Sequence, residues 1–117
     1  MTPLYHLALA PEWAAALVTG TYERSTIDRS LAEEGFIHCS FAEQVQATAD
    51  RYYRGRDDVV LLTIDAARLD AEVRVEEAPG TGRSFPHVYG PVPVEAVVDA
   101  RPVRPGVDGR LDVWAWR

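Results

Sequence analysis

Two spacings of apolar residues alternate along the chain, one of period two and one near 3.6. Leu4-Tyr5-His6-Leu7-Ala8-Leu9 reads as a strand, with Tyr5, Leu7 and Leu9 on one face and Leu4, His6 and Ala8 on the other. Pro11 then suits the first turn of a helix and Gly20 stops it. Trp13, Ala16 and Leu17 recur between them at helical spacing and are predicted to dock on a sheet, Trp13 as a core anchor. Thr21 to Glu34 carries no clear period and reads as a polar loop. Gly35 introduces a short strand, Phe36-Ile37-His38-Cys39-Ser40, with Ile37 and Cys39 facing a core and Phe36, His38 and Ser40 facing away.

Ser40-Phe41-Ala42-Glu43 fits a capping box, which predicts a helix over 41–54 with Phe41, Val45, Thr48, Ala49 and Tyr52 on its apolar side and Gly55 at its end. After the turn Arg56-Asp57-Asp58, Val59 to Ile64 is apolar on both faces and reads as a central strand. Asp65 caps a short helical turn through Leu69. In 71–78, Val73 and Val75 alternate with Glu72, Arg74 and Glu76, which predicts a strand with one wet face. Pro79 to Ser84 is a glycine-containing turn without a phosphate-loop fingerprint. Phe85 to Tyr89 follows, with Pro86 placing it at a strand start or an edge. Val97 to Val103 and Leu111 to Trp116 complete six or seven strands with two early helices. The pattern is that of a single α+β domain over 1–117.

Composition narrows the function classes. Eighteen acidic against 12 basic side chains give a net charge of −6, which argues against general nucleic-acid binding or an anionic membrane surface. Every basic residue is arginine, so a local phosphate grip remains open. Cys39 is the single cysteine; no internal disulfide can form, which fits a reducing, cytoplasmic compartment. No basic region followed by an apolar run suggests a signal peptide, and no apolar run is long enough to span a membrane.

The candidate chemistry lies on the strands. His6, His38 and His87 each fall on one, and three explanations compete: separate core residues, a three-imidazole zinc site with an open position, or the lining of a pocket for a polar ligand. His38 and Cys39 are neighbours on a strand and point to opposite faces, so they cannot form a nucleophilic dyad, and Cys39 reads as a small core residue. Glu76 and Glu77 are the acidic candidates, either reaching ribose hydroxyls or lying as solvated charges.

Leu4-Tyr5-His6, Gly35-Phe36-Ile37-His38-Cys39-Ser40 and Phe85-Pro86-His87-Val88-Tyr89-Gly90-Pro91 together resemble the bacterial domain-of-unknown-function family 952 over nearly the whole chain. That family is similar to the ADP-ribosyltransferase fold and, within it, to the NAD-dependent RNA 2′-phosphotransferases. Tyr5-His6 resembles their Tyr-His-Gly-Thr strand, with Leu7-Ala8 in place of Gly-Thr. Ile37-His38-Cys39-Ser40 resembles their Val-His-Leu-Ser strand and helix start. The third motif, where transferases often carry glutamate, falls near His87 and Tyr89 here.

The resemblance implies an ADP-ribosyltransferase-like split sheet whose histidine strands line one cleft. It implies that this cleft binds or transforms an ADP-ribose, NAD-derived or other nucleotide-like ligand. His38, His87 and Glu76 would be the catalytic candidates. His6 and Ser40 would hold ribose hydroxyls or a phosphate, Tyr89 or Tyr22 would stack on a planar ring, and Arg83 or Arg24 would neutralise phosphate. NAD enters as a possible substrate, with no other cofactor and no metal implied. A non-catalytic binding module and a three-histidine metal-dependent hydrolase are the alternatives, and the chain is expected to be a monomer or weak dimer.

Overall fold

Val59–Asp65 (β6) runs through the middle of the molecule, flanked on both sides by antiparallel strands. Pro3–Leu9 (β1) pairs with it from Pro3–Asp65 to Leu9–Val59, and Val97–Val103 (β10) pairs along its other edge. A computed structural model describes residues 2–115. Because β6 is apolar on both faces, it buries both. Val60, Leu62 and Ile64 enter one core with Leu4, Ala8, Ile37, Cys39 and Val88. Val59 and Leu61 enter a second with Tyr5, Leu7, Val45, Ala49 and Tyr53. The fold is a single α+β domain.

Helix α1 (Ala10–Thr19) begins with Pro11 in its first turn and ends at Gly20, whose φ of 97° lets its N–H reach the Ala16 carbonyl. Ala16 and the half-buried Trp13 pack on the first core, but Leu17 points outward and is exposed. A second sheet is built from β5 (Ile37–His38), β8 (Ser84–Val88) and β7 (Val73–Glu77), with β8 in the middle. Pro86 therefore lies in a central strand rather than at an edge. This is tolerated because β5 pairs over only two residues, and Pro86 contributes just its carbonyl to the Cys39 N–H. In β7, Val75 is exposed while Glu76 turns toward His87 and Tyr89, so the wet and dry faces differ from those the alternation predicts.

The 21–34 segment is more ordered than its sequence suggests. Thr21–Tyr22 (β2) pairs with Val92–Pro93 (β9), and Arg24–Thr26 (β3) with Arg29–Ser30 (β4). Ser30 caps Leu31–Glu34 (α2) with a full capping box: its hydroxyl accepts from the Glu33 N–H, and the Glu33 carboxylate accepts from the Ser30 N–H. The box anticipated at Ser40 does not form. Ser40 is held extended by two backbone hydrogen bonds to Tyr5, so the chain turns through 41–44 and α3 runs only over Val45–Tyr52. Leu111 to Ala115 makes one bridge, Leu111 to Pro105, and a turn closed by Asp112 rather than a strand; Trp116 lies outside the described residues.

Replacing Ser30 with alanine is expected to cost about 1 kcal/mol, read as a lower urea midpoint with an unchanged slope. Loss of the cap loosens α2, which carries Glu34 to the site described next.

Candidate functional site

The two sheets meet where Tyr5 of β1 and Ser40, just beyond β5, exchange hydrogen bonds of 2.8 and 2.7 Å. Gly35, at φ 92°, ends α2 and starts the chain into β5. Ile37 and Cys39 are then sealed in the first core, and His38 faces the other way beside Phe36. Burial pushes the Cys39 thiol up to about 12, so it stays protonated and unreactive at neutral pH.

His6 sits against the backbone of β5. Its Nδ1 lies 2.5 Å from the His38 carbonyl oxygen and its Nε2 lies 2.8 Å from the Tyr22 hydroxyl. A carbonyl can only accept, so Nδ1 carries the hydrogen; Nε2 is then the acceptor and Tyr22 donates to it. Desolvation by burial lowers the His6 pKa to about 4, against the opposing pull of the His38 carbonyl. His6 is therefore neutral at pH 7 with both ring nitrogens engaged. Burial raises the Tyr22 pKa, which keeps its phenol a donor.

Each of the other two histidines is oriented by its own carboxylate. His38 Nε2 lies 3.1 Å from Glu34 Oε1, and Glu34 is also 3.5 Å from Arg29. His87 Nδ1 lies 2.8 Å from Glu76 Oε1, the same oxygen that accepts from the Tyr89 hydroxyl at 2.5 Å. The hydrogen bonds from Tyr89 and then His87 hold Glu76 below the ordinary carboxylate range, and Glu76 in turn raises Tyr89. The two imidazoles stand edge to face with centroids 5.0 Å apart, and Phe36 stacks on His87 at 4.1 Å. His87 is buried and its Nε2 has no partner. His38 is about one-third exposed; burial lowers its pKa, Glu34 opposes the shift and His87 adds to it.

A cleft of about 640 Å³ opens beside this junction, between α3, β3, the end of β5 and the turn joining β7 to β8. His6, His38, Ser40 and Arg83 line it. His87, Glu76 and Tyr89 form their cluster beside it and are not among its lining. Tyr22 is buried between His6 and Trp13, where it has no face free to stack on a ligand. Arg24 pairs with Glu12 at 2.8 Å beside α1, away from the cleft. His38 thus contacts both other histidines, but only His6 and His38 line the cleft.

The cleft also holds residues not expected at a site: Arg51 and Ser25, and Tyr52, whose spacing predicts the apolar side of its helix but which is exposed. Ser25 is buried and its hydroxyl has no partner. None of the 20 lining residues is Asp or Glu. Among the described residues, Arg51, Arg83 and Arg104 are the arginines without a carboxylate partner, and the first two line this cleft.

The sequence profile of the proteins of unknown function DUF952 matches residues 7–100. The chain is a DUF952 protein. Its fold is similar to the crystal structure of protein CC0527 from Caulobacter crescentus, a structural-genomics target. That match has 37% identity and a TM-score of 0.83, and covers 96% of this chain and 95% of that one. The solution structure of CC0527 matches at 38% identity with a TM-score of 0.77, covering 93% and 90%. No curated protein matches the chain. In this DUF952 protein no three His, Cys, Asp or Glu side chains among the described residues stand together to hold a metal ion. The three-imidazole zinc set does not assemble, because His6 spends both nitrogens on Tyr22 and the His38 carbonyl. Among the described residues, no helix is long and apolar enough to cross a membrane.

Proposed function

We propose that the cleft binds a nucleotide-like phosphate ester of the ADP-ribose or NAD class. The observation that carries this reading is the sign of the cleft's charge. On a chain of net charge −6, a hollow with no carboxylate in its lining and two arginines free of acidic partners is a place for an anion. Arg51 and Arg83 supply the phosphate grip, and the exposed Tyr52, with the Arg51 guanidinium 5.4 Å over its ring, offers its other face for a base. The unpartnered Ser25 hydroxyl supports a ligand oxygen in the wall, since buried polar groups ordinarily find partners.

The adenine-nucleotide identity is supported by the resemblance of the Tyr5-His6 and Ile37-to-Ser40 stretches to ADP-ribosyltransferase motifs. The histidines of both stretches border the cleft. On this reading the two sheets joined at Tyr5 and Ser40 are the split sheet of a single ADP-ribosyltransferase-like domain. His6 acts from beneath, holding the His38 backbone, rather than by touching the ligand.

Calorimetric titration with ADP-ribose, NAD, ADP and adenosine tests this. Heat is expected from the phosphate-bearing compounds and not from adenosine, with affinity falling as salt is raised. A charge-assisted hydrogen bond contributes about 1.5–3 kcal/mol, so Arg51→Ala and Arg83→Ala should each weaken binding by roughly 10-fold or more. Binding that ignores both substitutions, or no binding at all, overturns the reading.

A further inference from the structure

We propose that the cleft hydrolyses a phosphoanhydride, with His38 as the general base that activates water. This rests on the binding reading above and adds chemistry to it. With His38 Nε2–H donating to Glu34, the lone pair of the neutral ring sits on Nδ1, which makes no hydrogen bond among the described residues. His38 lines the cleft, and its side chain is about one-third exposed. Glu34 is held by the capped α2 and by Arg29, so the imidazole is oriented by a group that is itself oriented.

The field of the cleft selects the reacting atom. Cleavage at an anomeric carbon builds up positive, oxocarbenium-like charge, which carboxylates stabilise. This cleft has none in its lining. Attack on phosphorus gathers negative charge on the phosphoryl oxygens, which unpaired arginines stabilise. The leaving group follows from the number of open imidazoles. Both nitrogens of His6 are engaged, and His87 Nε2 is sealed behind Phe36 and outside the cleft. No second imidazole is placed to protonate a poor leaving group. A phosphate ester, with a second pKa of about 6, departs as an anion unaided.

In the step, the proton of water moves to His38 Nδ1 while the water oxygen bonds to phosphorus. The bridging P–O bond breaks, and its electron pair stays on the departing phosphate. His38 then releases the proton to solvent. ADP-ribose would give AMP and ribose 5-phosphate, with one water consumed.

The test uses the full chain and ADP-ribose in ¹⁸O-enriched water, followed by phosphorus NMR. AMP and ribose 5-phosphate should appear with one labelled oxygen on phosphorus. His38→Asn should slow this by about 100-fold or more while calorimetric binding of ADP-ribose persists. Glu34→Gln, as a positioning change, should move the low-pH limb of the rate profile further down, because Glu34 supports the protonated ring. Binding without cleavage, release of nicotinamide from NAD with the anhydride intact, or an undiminished rate in His38→Asn each overturns the hydrolysis and leaves the binding reading standing. Absence of ADP-ribose binding overturns both.

Discussion

Lowering the pH from 7 to 4 is expected to cost the fold about 3 kcal/mol through His6 alone, at about 1.4 kcal/mol for each pKa unit. In the unfolded chain His6 titrates near its ordinary 6.5; in the fold, burial brings it down to about 4. Between those values the unfolded chain holds a proton that the folded one does not, so protons favour unfolding. Stability is therefore fully present above pH 6.5, falls through the window from 6.5 to 4, and levels off below it. His38 titrates in the same direction, so the effect must be separated by substitution. Glutamine at position 6 carries a donor and an acceptor like the neutral ring, but does not titrate. Urea midpoints for wild type and His6→Gln at pH 7, 5.5 and 4 give the difference. The expectation is a clearly shallower acid loss in the variant; equal slopes would show that His6 is not the buried neutral group its contacts describe.

That result would test why the chain spends a buried histidine on β1. Leu4 and Ala8 share its face and need only apolar neighbours, but the His38 carbonyl stands opposite the ring and needs a donor. His6 supplies it and is held in register by Tyr22. The cost of losing this support falls on the cleft, because His38 ends the short strand β5 and Ser40 follows just beyond it.

Elements whose signal is local were legible in the sequence. The two-faced apolar run of β6, the Pro11 start and Gly20 stop of α1, the Asp65 cap and the span of β10 all agree with the structure. Features set by distant partners were not. Ser40 has the residues of a helix cap, but its backbone is taken by Tyr5, 35 positions earlier in the chain. Val75 has the spacing of a core residue, but β7 is the outer strand of its sheet and, although paired with β8 along its whole length, leaves the valine exposed. The site divides in the same way. His38 and its strand stood out as motif residues. Arg51 did not, because on its helix it looks like an ordinary solvated charge. One signal was present: no acidic residue lies three or four positions from Arg51 on either side, so nothing on its own helix was placed to pair with it.

Ile37→Ala should produce the largest loss of any single truncation near the site, about 2–5 kcal/mol. Ile37 is fully buried and faces Val88 across the ladder, with Cys39, Leu62 and Ile64 in the same core. Its removal leaves a cavity where the second sheet rests on the first. The surroundings can collapse little, because β5 is pinned on one side to β8 and at its end to Tyr5. A domain of this size has about 5–15 kcal/mol to lose, so the variant should stay folded at low temperature and melt well below the wild type. Ile37→Val, which removes one methylene, should cost only about 0.5–1.5 kcal/mol. Urea midpoints for the pair give the comparison. A small loss in Ile37→Ala would mean that β5 is not a packed strand, and the cleft would then lack the rigid wall that places His38 beside Arg51 and Arg83.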